Sequence, residues 1–346
     1  MRRQILRLLG GVIAAVGSAP LSGAQEPEAD FRVRVEASDG SRIAGALIAL
    51  MDSTQTVVRE GVSNEDGMRV LRAPPGAYRV RVRRIGFLPY LSDPVSVAPG
   101  SDILLRVNSP RVLLQTIVVT SRSRCGAIDS GERILAVVWD EVAKALRTSQ
   151  LVARDFSDYS ASFTYRKTLD ARRVVVSSDT TFRPVGSTKP FSGRDASYLT
   201  TRGYVTGDEA AGWVIYAPDE AVLLSDQFAA SHCFRVVRDK ARKGEVGIEF
   251  KPVPGRQVPD IAGVLWVDER SAELRELIFR YVNAGALERF RAGGFAGFRR
   301  VPSGSWIVDR WALSAPILEK SNKPFSDLKV TGYVEDGGGL TMRVKP

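Results

Sequence analysis

The chain has 346 residues, a formal charge of +10, and 44% hydrophobic against 25% charged residues. That much apolar material supports genuine cores and excludes a mainly disordered protein, and the length suits two or three domains. Its single histidine excludes a three-histidine zinc site and an HExxH metalloprotease helix.

Residues 1–24 have the layout of a secretory signal peptide. Arg2, Arg3 and Arg7 form a cationic start, Leu8 to Val16 is apolar or glycine, and Ser22-Gly23-Ala24 offers small residues for cleavage after Ala24. The apolar run is too short to cross a hydrocarbon core of about 30 Å. The expectation is an exported protein, periplasmic or outer-membrane associated, without a transmembrane span in the mature chain. Losing those three arginines lowers the charge from +10 to +7. Only ten of the 49 basic residues are lysine, and the arginines are dispersed through strand-like segments. Nucleic-acid binding calls for a clustered patch on a recognisable module, and the sequence has neither. The charge reads as a solvated basic surface or as contact with anionic lipid, lipopolysaccharide or acidic polysaccharide.

Residues 31–108 predict a small β-sandwich. Phe31, Val33 and Val35 alternate with Arg32, Arg34 and Glu36, the period of a half-buried strand. Asp39-Gly40, Asn64-Glu65-Asp66-Gly67 and Pro74-Pro75-Gly76 supply turns, and Tyr78, Val80 and Val82 alternate with Arg79, Arg81 and Arg83. The succession Gly45 to Leu50, Asp66-Gly67, Pro75-Gly76-Ala77-Tyr78 and Ile85-Gly86-Phe87 resembles the carboxypeptidase regulatory-like domain. The resemblance implies a transthyretin-like sandwich of about seven strands, acting as a spacer or docking module. It implies no peptidase activity, since that zinc site belongs to a separate domain with two histidines.

Residues 109–128 read as a linker. Val112-Leu113-Leu114-Gln115-Thr116-Ile117-Val118-Val119-Thr120, followed by Ser121 to Arg124, is similar to the segment before the plug of TonB-dependent outer-membrane receptors. The same run also reads as one more strand. Too few residues follow for a receptor barrel of about 22 strands.

Residues 129–346 predict one helix and a long antiparallel sheet. Ile134, Val138, Val142 and Leu146 recur at four-residue steps, with Arg133, Asp140, Glu141, Lys144 and Arg147 largely on the other side. Strands are expected near 163–169, 173–182, 213–217, 234–238, 245–253, 264–268, 274–282, 306–313 and 329–334. The helix, the meander and the Leu265-Trp266-Val267-Asp268 hairpin resemble the half-barrel of periplasmic lipoprotein carriers. That resemblance implies an apolar cavity between helix and sheet, for which Trp139, Trp266, Phe279, Tyr281 and Trp311 are the candidate lining. The same aromatics equally suit a closed core.

Cys125 and Cys233 are expected to pair, as an even cysteine count in an exported chain favours. His232 abuts Cys233, but strand neighbours point to opposite faces. A surface or supporting histidine is therefore expected in place of a catalytic pair. Asp219-Glu220, Asp268-Glu269, Asp195 and Asp208-Glu209 show neither paired-carboxylate spacing nor a calcium loop. No catalytic residue, metal or cofactor is assigned. The leading expectation is a non-enzymatic binding or scaffold protein of the cell envelope, with a lipid or an outer-membrane protein as partner. The alternatives are a carboxylate-dependent hydrolase of envelope polymers or an accessory of a TonB-dependent system.

Overall fold

The computed structural model describes residues 28–112, 114, 124–125, 133–152, 159–184, 193–208, 212–301, 304–320 and 328–342. The expected leader and the stretch 115–123 of the receptor-like segment lie outside the described residues. The protein is mainly β, with a sandwich in front and a large antiparallel sheet behind.

The front comprises β1 (Ala29–Ala37), β2 (Leu47–Met51), β3 (Val57–Val62), β4 (Met68–Ala73), β5 (Gly76–Arg83), β6 (Tyr90–Leu91), β7 (Val95–Val97) and β8 (Asp102–Val107). They form two sheets, β4-β1-β8 and β3-β2-β5-β6, with β7 also on β5. Alternation places Phe31, Val33 and Val35 of one sheet against Ile48, Leu50, Val80 and Val82 of the other in one core. β1 runs parallel to β8 and antiparallel to β4.

The back begins with β9 (Arg124–Cys125), α1 (Arg133–Val152), β10 (Tyr159–Asp170) and β11 (Val175–Pro184). Then come α2 (Ala196–Arg202), β12 (Val205–Asp208), β13 (Gly212–Ile215), α3 (Glu220–Leu223), α4 (Asp226–Ser231) and β14 (His232–Val237). β15 (Glu245–Pro252), β16 (Asp260–Asp268), β17 (Leu274–Val282), α5 (Ala286–Arg289), β18 (Gly293–Arg300), β19 (Trp306–Lys320) and β20 (Leu328–Met342) complete it. Ten of the strands make one antiparallel sheet in the order β11-β10-β20-β19-β18-β17-β16-β15-β14-β9. The segment expected to be linker thus supplies an edge strand, β9, and two core residues, Val112 and Leu114. α1 buries Leu135, Val138, Val142 and Leu146 against this sheet.

Two glycine-rich stretches, 293–297 and 337–339, lie within β18 and β20. At Gly293 a Cβ would sit 2.4 Å from the Phe279 carbonyl, and at Gly337 it would meet the Tyr165 ring at 2.4 Å. These positions hold glycine because a neighbouring chain or ring covers the backbone.

The polar side of α1 is not solvated. Glu141 and Lys144, placed opposite the apolar face by their spacing, are 0% and 1% exposed because the sandwich covers them. Glu141 accepts from the Gly86 N–H at 2.7 Å, and Lys144 donates to Glu141 at 2.7 Å, to Asp140 at 2.8 Å and to the Phe87 carbonyl at 2.8 Å. Beside them, Leu47 and Val62 of the sandwich share an apolar cluster with Val152, Val301 and Ile307. A buried apolar patch and a buried ion pair together fix the two halves as one body.

Candidate functional site

Along this seam four turns meet and leave a cleft of about 220 Å³. Gly45 lies at φ +70°, and a Cβ there would fall 1.9 Å from the Gly304 carbonyl, so the turn of the sandwich and the turn before β19 touch backbone to backbone. Gly86, at φ +81°, packs on the Ser271 carbonyl, where a Cβ would fall 2.9 Å away. Residues 110–112 then pair with 86–88, through Leu88 N to Pro110 O and Val112 N to Gly86 O, which sets Arg111 opposite Phe87.

The result is a concentration of one charge. Arg84, Arg111, Arg270 and Arg300 line the cleft, and among the described residues none has a carboxylate within ion-pair distance. Its one lining carboxylate, Glu273, faces Arg275 at 3.4 Å. The Arg84 and Arg111 guanidinia lie 4.7 and 5.6 Å from the Phe87 ring centre. Burial, and then the guanidinia of Arg300 and Arg111, hold the Arg84 guanidinium below its ordinary value. Like charges gathered without acids are costly, and their field concentrates anions.

Trp306 also lines the cleft, is 1% exposed, and its indole Nε1 has no hydrogen-bond partner among the described residues. An indole N–H is a donor only, and a buried one left unmet costs about 1–3 kcal/mol. The site therefore gathers four cationic forks, the chemistry of oxyanion recognition, beside a residue with an unmet indole donor.

The residues singled out from sequence lie elsewhere. Cys125 and Cys233 are joined by a disulfide that ties β9 to β14. Phe279 and Tyr281 are buried in the core under α1, and Trp139 and Trp311 pack partly buried against it. Trp139 meets Phe234 edge-on at 5.4 Å. Trp266 is on the opposite face of β16, since Ile261, Leu265 and Val267 take the core side, and Arg242 lies 4.9 Å over its ring. Phe279 and Tyr281 are thus together, whereas Trp266 is separated from them by the sheet.

His232 is 1% exposed, which corrects the surface reading. Its Nε2 lies 3.3 Å from Asp260, its Nδ1 is 3.0 Å from the Phe228 carbonyl, and its ring stacks on Phe228. The acidic residues have structural tasks. Asp195 and Asp219 cap α2 and α3, Glu220 accepts from Ser149, Asp268 ties the turn after β16, and Glu269 pairs with Arg238. The described residues contain no group of three or more His, Cys, Asp or Glu placed to hold a metal ion. No helix among them is long and apolar enough to cross a membrane.

Sequence inspection missed the cleft because its four arginines are scattered from position 84 to position 300 in unrelated segments. No local spacing signals them.

Residues 30–108 match the family model of the carboxypeptidase regulatory-like domain. No curated protein matches the chain. Among solved structures, the chain is similar to a DUF3823 family protein from Bacteroides ovatus, at 9% identity and TM-score 0.19, over 65% of this chain and 92% of that one. A DUF3823 family protein from Parabacteroides merdae matches at 10% identity and TM-score 0.20, over 64% and 91%. A streptococcal ancillary pilin matches at 12% identity and TM-score 0.19, over 56% and 60%.

Proposed function

We propose an exported, non-enzymatic binding and scaffold protein of the cell envelope that holds an acidic envelope component in the cleft between its two halves. The observation that carries this reading is the cluster Arg84, Arg111, Arg270 and Arg300, with its lone carboxylate already engaged by Arg275. Export is supported by the leader-like residues 1–24 and by the Cys125–Cys233 disulfide, which persists in oxidising compartments. The scaffold aspect is supported by the buried seam, which keeps the cleft's four turns in register. Glycoside chemistry needs two carboxyl groups facing each other across a cleft, and this one presents a single, paired carboxylate.

The test is native mass spectrometry of the mature chain purified from the periplasm, with extraction of bound molecules alongside. An anionic adduct is expected on the wild type and absent from the Arg84→Gln/Arg300→Gln variant. A bare wild-type mass, together with no saturable binding of any anion in vitro, would remove the reading.

A further inference from the structure

A second cavity adjoins the cleft. A groove of about 270 Å³ opens at the end of the sandwich, and Arg84 and Phe87 line both spaces, so the two are neighbours. Its floor is apolar and nearly closed, formed by Ile43, Val82 and Val107. Leu88 forms a lip and is 47% exposed, although it is a large aliphatic side chain beside a row of arginines. Exposed apolar surface rimmed by charge marks a place where something apolar is received.

The charges fix a direction along this double site. In the groove Asp39 is offset by Arg84, while the cleft holds four arginines against one carboxylate. An anion is drawn to the cleft. The number of guanidinia sets the charge that suits them. A carboxylate offsets one, whereas a phosphate monoester carries about −1.5 to −2 at neutral pH and offers three acceptor oxygens to several forks. Trp306, on the same wall, carries a buried indole N–H with no partner among the described residues.

We infer that the ligand is a phosphorylated amphiphile, its phosphate held by Arg84, Arg111, Arg270 and Arg300 and its apolar part lying over Ile43, Val82 and Val107 beneath Leu88. This rests on the anion-binding reading of the cleft and adds the phosphate and the apolar chain. Phe87 lines both spaces, with the guanidinia of Arg84 and Arg111 near its ring. A free phosphate and a lipid headgroup share the chemistry of the cleft, and only the second uses the groove.

The experiment is titration calorimetry on the mature chain with glycerol 3-phosphate, with short-chain phosphatidic acid below its micelle concentration, and with phosphatidylcholine of the same chain length. Phosphatidic acid is expected to bind at least about tenfold more tightly than glycerol 3-phosphate, the gain from burying about two methylenes. Leu88→Gln, an uncharged change at an exposed lip, brings that ratio down towards one. Arg84→Gln/Arg300→Gln loses both ligands, and the melting temperature of each variant verifies folding. With unaltered protein, the indole N–H resonance of Trp306, assigned through Trp306→Phe, shifts with either phosphate probe. Equal affinities for the two phosphates would overturn the amphiphile and leave the anion cleft standing. Equal binding of phosphatidylcholine would overturn the phosphate. Binding of neither phosphate would remove the anion reading as well.

Discussion

Lys144 donates to the backbone carbonyl of Phe87 at 2.8 Å, and so a charge on the helix of the rear sheet is bonded to a loop of the front sandwich. The same ammonium holds Glu141, whose other oxygen takes the N–H of Gly86. Truncating one partner leaves the other as an uncompensated buried charge. Lys144→Met is therefore expected to lower unfolding stability by about 3–5 kcal/mol, because Glu141 is stranded beneath the sandwich. Lys144→Met/Glu141→Gln should recover part of that loss, since the charge is gone while an amide oxygen can still accept from Gly86. Urea denaturation of the three proteins measures the order. A Lys144→Met protein as stable as wild type would mean that the pair is solvated in solution and the seam is open.

The disulfide closes a loop across a sequence separation of 108 residues and anchors a two-residue strand that, among the described residues, pairs with β14 alone. Cross-linking a loop of this length restricts the unfolded chain by an amount worth about 4–5 kcal/mol. Cys125→Ser/Cys233→Ser is expected to lose most of that, with hydrogen exchange rising at Cys233 and Phe234, where β9 pairs. The denaturation midpoint with and without reductant gives the same quantity in the unmodified chain. A midpoint indifferent to reductant would show that β9 contributes nothing to the sheet.

Asp195 caps α2, its Oδ1 accepting from the Ser197 hydroxyl at 2.5 Å and from the Tyr198 N–H at 2.8 Å. The Ser197 hydroxyl bond first, then the backbone bond of Tyr198, holds this carboxyl below its ordinary value of 3.8. A carboxyl lowered in the folded state binds fewer protons there than in the unfolded chain. Its contribution is thus present above 3.8 and disappears as pH falls through the lowered value. Asp195→Ala should therefore melt below wild type at neutral pH, with the gap narrowing in acid. Melting curves by circular dichroism across that range decide it, and a gap that widens in acid would contradict the cap.

Much of this architecture was legible because alternation and turns are local properties. The hairpin of β16 and β17 announced itself in Gly263 to Val282, and the helix in the spacing of Val138, Val142 and Leu146. Residues 31–108 carried enough landmarks in order for the sandwich to be recognised. What failed depended on neighbours far away in sequence. The spacing of Glu141 and Lys144 marks a polar helix face but cannot say that a second domain covers it. No strand was expected at 293–300, because the residues that make glycine necessary there, Phe279 and Ala312, belong to other strands. Trp266 was grouped with Phe279 by residue type, although its register on β16 turns it to the far side of the sheet. The arginine cleft had no local signature at all, since its members converge only after the seam has closed.

Asp260 organises the most buried polar cluster away from that seam. The carboxylate is 0% exposed and takes the guanidinium of Arg256 on one oxygen. Its other oxygen takes the Ile261 N–H at 2.8 Å and faces His232 Nε2 at 3.3 Å. Arg256 in turn donates to the Thr200 carbonyl at 2.8 Å, so the cluster ties β16 to α2. Asp260→Ala removes the acceptor from a buried guanidinium and the carboxylate that faces the ring of His232, and should cost about 3–5 kcal/mol. His232→Gln leaves the Asp260–Arg256 pair intact and should cost less, within the range of about 1–3 kcal/mol for losing one buried hydrogen-bonding group. Urea denaturation of both variants at neutral pH gives the comparison. A larger loss for His232→Gln would place the histidine, and not the carboxylate, at the centre of the cluster, because only then would the Arg256 contact be secondary to the stack of His232 on Phe228.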